Sequence, residues 1–471
     1  MNLHTLIDGI ELTHLAGGVG GVGGVSVDSI RVCDLTEDSR TAMPGSLFVA
    51  RSGMQDEGAK YIDQAVHAGA VAVVTDDPDA TLPSGFKAVL LYSKDASGVG
   101  GVLAERFYGH PSSTLAIAGI TGTNGKTTIA HLTQQIIKHA HVGQARIKCG
   151  LIGTVVIDDG RQRGPAAMTT PPAIELSRTL ATMVEHGCKA CAMEVSSHAL
   201  DQGRTSAVEI DAAGFTNLTG DHLNYHKTIE EYTKAKIRLF ASLKSGATAI
   251  INTDDPAGQV MIDACGEGVR VLGCSMKDAG ADWYAEITQG TLDGMKMTVG
   301  CPHGSFESSV PFFGEYNASN VLIALGLADV LFEKLKVDVE TRLKNFVGSM
   351  RELRLPRGRL ERVDTSGDDI RVFVDFAHSD DSIRSCLGGV RGVLPAGAGL
   401  WCVFGCGGDR DRSKRPRMGR AACDGADRVV LTSDNPRSEK PSQIVDDVLG
   451  GLDESQRAKV EVQIDRDIAI R

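Results

Sequence analysis

Apolar and polar positions change period many times along this chain. Short apolar runs, the length of buried strands, alternate with stretches in which apolar residues recur every three or four positions, as on a helix with one face inside. The run Leu115 to Ile120 predicts a strand, and Ile129, Leu132, Ile136 and Ile137 predict the helix after it. Upstream, LFVA and VAVV predict strands around the helix YIDQAVHAGA, with a turn at Pro44-Gly45, while LAGGVGGVGGVSVDSI reads as a loop feeding a strand. From about 111 to 347 strands and helices alternate, which implies a mainly parallel sheet covered by helices. In that part CAMEV ends a strand at Glu194, AAGF and TAIINTDDP supply others, and FFGEYNASN places Asn317 and Asn320 as capping residues at a helix start. A basic stretch with Pro and Gly, MRELRLPRGRLERV, suits a linker, and α/β alternation resumes in IRVFVDFAH, GLWCVFGCGG, RVVLTSDNPR and KVEVQI. At 471 residues the chain exceeds what a single core supports. The fold class predicted is α/β in three domains: a small α/β unit over 1–110, a P-loop-type mainly parallel sheet flanked by helices over 111–347, and a Rossmann-like unit over 348–471.

Charge narrows the partners. A formal net charge of −11 argues against non-specific binding to nucleic acid or anionic lipid, so an anionic substrate must be held by local basic clusters. The start, MNLHTLIDGIELTHLAGG, has neither a basic flank nor a continuous apolar stretch, and no run is long enough to span a bilayer; a cytoplasmic protein is expected. Eleven cysteines, an odd number, point to free thiols, and Cys188 with Cys191 reads as a pair of small core residues because no second pair follows at zinc-ribbon distance.

Candidate chemistry begins between the strand and helix first named. Gly122, Thr123, Asn124, Gly125, Lys126, Thr127 and Thr128 form a turn suited to phosphate. Two glycines admit an anion to the backbone, the helix start offers N–H groups at its positive end, Lys126 adds charge, and the Thr127 hydroxyl can ligate Mg²⁺. Spacing departs from the usual P-loop, in which four residues separate the first Gly from Gly-Lys. In parallel sheets ligands gather where strands end, and three polar segments stand there: MTTPPAIEL with Thr169 and Thr170, CAMEVSSHALDQGR with Glu194, and FTNLTGDHLNYHKTIEEY with Asp221, His222 and His226. Glu194 and His226, which precedes a helix, are plausible Mg²⁺ ligands by type, since Mg²⁺ takes few protein groups beside phosphate and water. Read singly, each has a blander role: Glu194 as a helix cap, His226 as a surface or core residue, and Lys236 as a solvent-facing helix lysine. Arg410, Arg412, Lys414, Arg415, Arg417 and Arg420 make the most basic segment, and within an acidic chain carrying a phosphate turn they suit phosphates and carboxylates.

Together the motifs resemble one family. Gly122-Thr-Asn-Gly-Lys-Thr-Thr128, Glu194-Val-Ser-Ser-His198, Asp221-His222, Tyr225-His226, Ala235-Lys236, Asn317 with Asn320, Gly358-Arg359, Asp375-Phe-Ala-His378 and Gly407-Gly-Asp-Arg410 occur in the order seen in Mur ligases, ATP-dependent amide-bond enzymes of peptidoglycan synthesis. The resemblance spans nearly the whole chain. It implies that Asp38, Ser39, Met54, Gln55 and Asp56 hold the UDP end of a UDP-muramoyl-dipeptide, and that Thr169, Thr170, Ser196, Gln202 and Arg204 hold its muramoyl dipeptide. ATP would be bound by the phosphate turn with Asn317, Arg359 and Asp375. Thr127 and Glu194 would serve one Mg²⁺, and His226 with Lys236 a second. Lys236 matches a lysine carried as a carbamate, formed with CO₂, which overturns its bland reading. Arg410, Asp434, Asn435, Pro436 and Arg437 would meet the incoming amino acid, and Asp434-Asn-Pro-Arg437 matches the pattern for meso-diaminopimelate, whose far carboxylate suits a planar guanidinium. A monomer acting on UDP-N-acetylmuramoyl-L-alanyl-D-glutamate is implied, with neither nucleic acid nor membrane insertion.

Departures from the family pattern are Met168 in place of Asn, Met54 in place of His, and Ser379-Asp380 in place of Thr-Pro. The sequence also ends at Arg471, before a Gly-Lys-Gly-His-Glu segment that contacts the amino acid in the family, so truncation and divergence both stand open. Four other functions share part of the pattern: a lysine-adding ligase of this family, a folylpolyglutamate-type ligase, a P-loop switch driven by hydrolysis, and a binder of UDP-muramoyl peptide without catalysis.

Overall fold

The computed structural model describes residues 1–16, 27–53, 56–142, 145–221, 223–363 and 370–471. They divide into two compact units, Met1–Gly119 with Ile147–Asp211 and Ser242–Ser245, and Ile120–Arg146 with Ala212–Ala241 and Gly246–Arg471.

In the first unit a five-stranded sheet runs in the order Thr13–Ala16, Val89–Tyr92, Ala72–Thr75, Ser46–Ala50, Asp34–Thr36. Its strands pair in parallel except Thr13–Ala16, an antiparallel edge. All five residues of Ser46–Ala50 are buried because successive side chains point to opposite faces and both faces are covered. Leu47 and Val49 pack with Leu3, Leu35 and Leu103. Phe48 and Ala50 pack with Ile62 and Val66 on the other side. The predicted helix there is confined to Ile62–His67, and the Gly-Val stretch falls largely on residues outside those described.

The first unit also holds the strands Arg163–Pro165, Val156–Asp158, Cys149–Ile152 and Ala190–Glu194, side by side in that order. In the second unit Ala212–Phe215, Thr248–Asn252, Arg270–Ser275, Trp283–Thr291, Gly294–Cys301 and Gly304–Val310 lie in a sheet in that order. Parallel pairs include Cys149–Ile152 with Ala190–Glu194, and Ala212–Phe215 through Thr248–Asn252 to Arg270–Ser275. The ends are antiparallel meanders, which the alternation of strands and helices did not foretell. Within the second unit the helix Glu315–Lys334 is apolar nearly all round and buried along most of its length. Ile323 and Leu327 stand over Gly214, and Gly326 lies over Ile250; side chains at either glycine would hold the helix off the sheet. The helix begins at Glu315 after Gly314, so Asn317 and Asn320 lie inside its first turns instead of capping it.

Also in the second unit, Trp401–Phe404, Arg428–Leu431 and Val460–Val462 make a parallel three-stranded sheet. Ile383 and Leu387 from helix Asp380–Arg391, Met418 and Ala422 from Arg415–Gly425, and Val445 from Pro441–Leu449 pack with Leu431 to form its core. Among the described residues the apolar run IRVFVDFAH pairs over Phe373–Val374, antiparallel to Glu361–Arg362. Asp375 ends that ribbon, since its carboxylate takes the backbone N–H groups of Leu360 and Ala377 at 2.8 Å each. All eleven cysteines are unpaired thiols. Among the described residues no helix is long and apolar enough to cross a membrane.

Candidate active site

The phosphate turn opens where strand Ala116–Thr121 hands over to helix Lys126–His139. Gly122 and Gly125 take φ values of 146° and 89°, the left-handed region in which side chains are strained. Their surroundings exclude a side chain as well: a Cβ on Gly122 would collide with the Thr216 hydroxyl, and one on Gly125 would lie 2.6 Å from Asn320 Oδ1. A neighbouring strand end supports the turn from below. Thr123 N donates to Asn217 O at 2.8 Å and Asn124 N to Asn217 Oδ1 at 2.9 Å, while the Thr216 hydroxyl donates to Asn124 O at 2.6 Å. Lys126 curls over the turn, its Nζ donating at 2.8 Å to the carbonyl oxygens of both Gly122 and Thr123.

Lys236 meets the same turn from helix Ile229–Ala241. Its side chain is 1% exposed, and Nζ donates to Gly122 O at 2.7 Å while standing 4.3 Å from the centroid of the Tyr232 ring. Burial, then the nearby charge of Lys126, push this amine well below the ordinary lysine range against a smaller opposing pull from Asp221. A solvent-facing lysine is therefore the wrong description. His226 closes the short helix Leu223–His226 instead of only preceding one, and its buried ring lies 5.3 Å from that of Tyr232.

Beside the turn lies a cavity of about 670 Å³ lined by Asn124, Gly125, Thr128, Asn317, Arg359 and Asp375, among others. Its volume lies in the range of nucleotide-sized sites. Arg359 reaches it across the Phe376 ring, 5.4 Å from the centroid, and one guanidinium nitrogen stands 3.4 Å from Thr127 Oγ1. Asn317 Nδ2 donates to Phe313 O at 2.9 Å, which aligns the helix start with the cavity.

A second cavity, about 760 Å³, is lined by Arg410, Asp434, Asn435 and Arg437 together with His378 and Arg466. Asp375 and Asp381 line both cavities and so form a common wall. Burial raises both carboxyls above the ordinary aspartate range. Asp381 also accepts a hydrogen bond from Asn124 Nδ2 at 3.0 Å, tying the wall to the phosphate turn. His378 Nε2 lies 3.7 Å from Asp221 Oδ2 in the second cavity. Much of the basic segment is engaged within the protein: Arg412 and Arg415 with Asp447, Arg417 with Asp380, and Arg420 with Gly451 O. Pro436 packs on Gly408, whose missing side chain makes room for it.

The remaining predicted residues belong to the first unit. Glu194 ends its strand as expected and is 1% exposed, but it is no helix cap: Oε1 accepts from Thr154 N at 2.7 Å and Oε2 from the Thr154 hydroxyl at 3.0 Å. Thr170 Oγ1 donates to Glu194 O at 2.8 Å and accepts from Ser196 N at 3.1 Å. Arg204 donates to Thr170 O at 2.8 Å and to Gln202 Oε1 at 2.6 and 3.0 Å, and Thr169 shares a hydroxyl bond of 3.0 Å with Thr154. These form one polar network. Ser39 donates to Gln64 Oε1 at 2.8 Å, and Arg40 holds the Asp38 carboxyl below its usual range by hydrogen bonding. Asp56 accepts from the Tyr61 hydroxyl. Met54 and Gln55 lie outside the described residues.

Sequence reasoning missed Thr154, Asn217 and Asp381. Asn217 carried a readable signal, two residues beyond a strand end; Thr154 and Asp381 belong to no short motif. Among the described residues no group of three or more His, Cys, Asp or Glu side chains gathers to hold a metal. A hydroxyl at a helix start beside a phosphate turn fits Mg²⁺, which relies on phosphate and water for most of its ligands.

Residues 34–108 match the Mur ligase family catalytic domain, 120–328 the Mur ligase middle domain and 358–471 the Mur ligase glutamate ligase domain. A UDP-N-acetylmuramoyl-L-alanyl-D-glutamate--2,6-diaminopimelate ligase of Synechococcus elongatus is 40% identical over 448 residues, 94% of this chain and 86% of the relative. A solved structure of a ligase bearing that same name aligns at TM-score 0.69 and 31% identity, covering 100% of this chain and 90% of that one. A folylpolyglutamate synthase of Mycobacterium tuberculosis, complexed with ADP and AMPPCP, aligns at TM-score 0.60 with 17% identity over 78% of this chain and 85% of its own, a likeness of fold alone. With three family segments in order and 40% identity along nearly its whole length, this chain belongs to the Mur ligase family of ATP-dependent, amide-bond-forming enzymes.

Proposed function

We propose that the chain joins meso-diaminopimelate to UDP-N-acetylmuramoyl-L-alanyl-D-glutamate at the expense of ATP, in peptidoglycan synthesis. The observation that carries this reading is the common wall: a nucleotide-sized cavity at the phosphate turn and a second cavity holding Arg410, Asp434, Asn435 and Arg437 share Asp375 and Asp381. Amide formation needs the nucleotide and the incoming amine brought near one carboxyl group. The γ-carboxylate of D-Glu attacks the γ-phosphorus of ATP and ADP leaves. The amine of the amino acid then attacks the carbonyl carbon of the acyl phosphate, inorganic phosphate departs and the amine loses a proton. Such transfer depends on placing reactants and neutralising charge.

Lys126 serves the β- and γ-phosphates from above the turn, and Asn317, Arg359 and Asp375 bind the rest of the nucleotide. Arg437 and Arg410 offer guanidinium groups to the far carboxylate of diaminopimelate; lysine has no such group, which favours the diamino diacid. Asp38, Ser39, Met54, Gln55 and Asp56 take the UDP end, and Thr169, Thr170, Ser196, Gln202 and Arg204 the dipeptide. Thr127, His226 and Lys236 are residues of the second unit that would hold Mg²⁺, whose chemistry is neutralisation of phosphate charge, and Glu194 has the side-chain chemistry of a Mg²⁺ ligand as well. Lys236 suits a carbamate, because a desolvated neutral amine is the form that captures CO₂. The reading places the protein in the cytoplasm as a monomer.

Phosphate release from ATP and UDP-muramoyl-dipeptide, measured with meso-diaminopimelate, with lysine and without an amine, tests this. Release that needs meso-diaminopimelate is expected. Release with lysine alone would overturn the specificity, and release without any amine would make the protein a simple ATPase. Lys236→Ala is expected to abolish turnover, with excess CO₂ giving no rescue.

A further inference from the structure

The sequence offers Arg415 as one more cation for an anionic substrate. Its surroundings say otherwise. Arg415 opens helix Arg415–Gly425 and is 1% exposed, the most buried charged group beside the second cavity. NH1 donates to Glu439 Oε2 at 2.9 Å and to Asp447 Oδ2 at 2.8 Å; NH2 donates to Glu439 Oε1 at 2.7 Å and to Gly407 O at 3.3 Å. Gly407 belongs to the loop that carries Arg410, and Glu439 follows the loop that carries Asp434 to Arg437. One guanidinium thus holds both loops that bring side chains to the second cavity.

The loops are stitched to each other above it. Gly408 N donates to Asn435 O at 2.9 Å and Arg437 NH1 to Gly408 O at 2.5 Å. Asp409 N donates to Glu439 Oε1 at 2.6 Å, and the Asp409 carboxylate accepts from Ser438 N and Oγ at 3.0 and 2.7 Å. Asp409 and Arg437 both adopt positive φ, 51° and 49°, where non-glycine residues are strained and persist only when the surroundings hold them. Hydrogen bonding to Arg415 holds the Glu439 carboxyl down to about 2, so this partner stays ionised at working pH.

We propose that Arg415 is a positioning residue for the amino-acid substrate: its fork between Glu439, Asp447 and Gly407 sets the spacing of the Arg410 loop and the Asp434–Arg437 loop without touching the substrate. This rests on the reading of the second cavity as the amino-acid site. A planar, bidentate contact of this kind is not reproduced by lysine. Displacement of a binding group by about 1 Å costs on the order of a hundredfold in rate.

The test uses the full chain with Arg415→Lys and, separately, Glu439→Gln, which takes the charge and one of the two accepting oxygens from the same contact with little change of volume. The expected result is a rise of roughly ten- to a hundredfold in KM for the amino acid the wild type turns over, with KM for ATP and for UDP-muramoyl-dipeptide within about twofold. The double variant is expected to fall short of the sum of the two single effects, since both weaken the contact between Arg415 and Glu439. Hydrogen exchange, which needs no substrate, is expected to speed up most across 405–411 and 433–439. Equal change in all three KM values, or unaltered exchange in both loops, overturns the proposal. A wild type that turns over no amino acid overturns the reading of the cavity instead, while the exchange result still decides whether Arg415 holds the loops.

Discussion

Lys236 illustrates how far one side chain's surroundings can reverse its apparent character. Its neighbours Ala235, Leu239 and Phe240 are buried, and so is the amine, which rests on a carbonyl of the phosphate turn. Such burial carries a signature in the pH dependence of stability. Between the depressed native value and 10.5, the ordinary value, the unfolded chain holds a proton that the native chain lacks, so stability rises with pH across that window. Urea unfolding in CO₂-free buffer is expected to show this rise in the wild type and a flatter profile in Lys236→Met. A wild-type profile as flat as that of Lys236→Met over the same window would mean that the amine is charged in the native state. Nothing in the sequence around Lys236 announces its burial: helix periodicity does not separate it from Lys234, which is exposed and paired with Glu231. Only the motif resemblance singled it out.

At the scale of elements, the turn and the helix Asp380–Arg391 are joined by the hydrogen bond from Asn124 to Asp381. Removing one neutral-to-charged hydrogen bond costs about 1.5–3 kcal/mol, roughly a ten- to hundredfold change in binding. Because Asp381 lines both cavities, Asp381→Ala is expected to raise KM for ATP and for the amino acid together in steady-state kinetics, unlike Arg415→Lys, which is selective. Gly125→Ala should weaken ATP binding at least tenfold by calorimetry, since the new methyl meets Asn320 in a backbone conformation that alanine resists. The strands, the phosphate turn and the helix after it were legible because each has a local cause: an apolar run, a pair of glycines, a spacing of three and four. Asn317 and Asn320 were misread as caps because the apolar period does not fix where the first turn begins, and Gly314 with its positive φ took the cap. In IRVFVDFAH the pairing that includes Phe373–Val374 stops before Asp375, whose carboxylate takes the backbone N–H groups of Leu360 and Ala377. The Asp381 link was illegible, joining residues 257 apart in the chain.

For the whole molecule, a net negative charge coexists with cavities lined by cations. The formal charge of −11 sits beside cations gathered at cavities and held by carboxylates, as Arg415 is by Glu439 and Asp447. Free thiols throughout, most of them buried, predict that thermal unfolding begins at the same temperature with and without reductant. Nucleotide is expected to raise the melting temperature: at a hundred times Kd it adds about 2.7 kcal/mol to the state that binds it. Differential scanning calorimetry with an ATP analogue checks this, and no shift would mean that the larger part of the chain lacks a nucleotide site. The partition formed by Asp375 and Asp381 has a practical corollary. A single inhibitor spanning both chambers would have to pass two carboxyls at its waist, so its linker should carry hydrogen-bond donors or a cation there, where an apolar tether would leave both acids stranded.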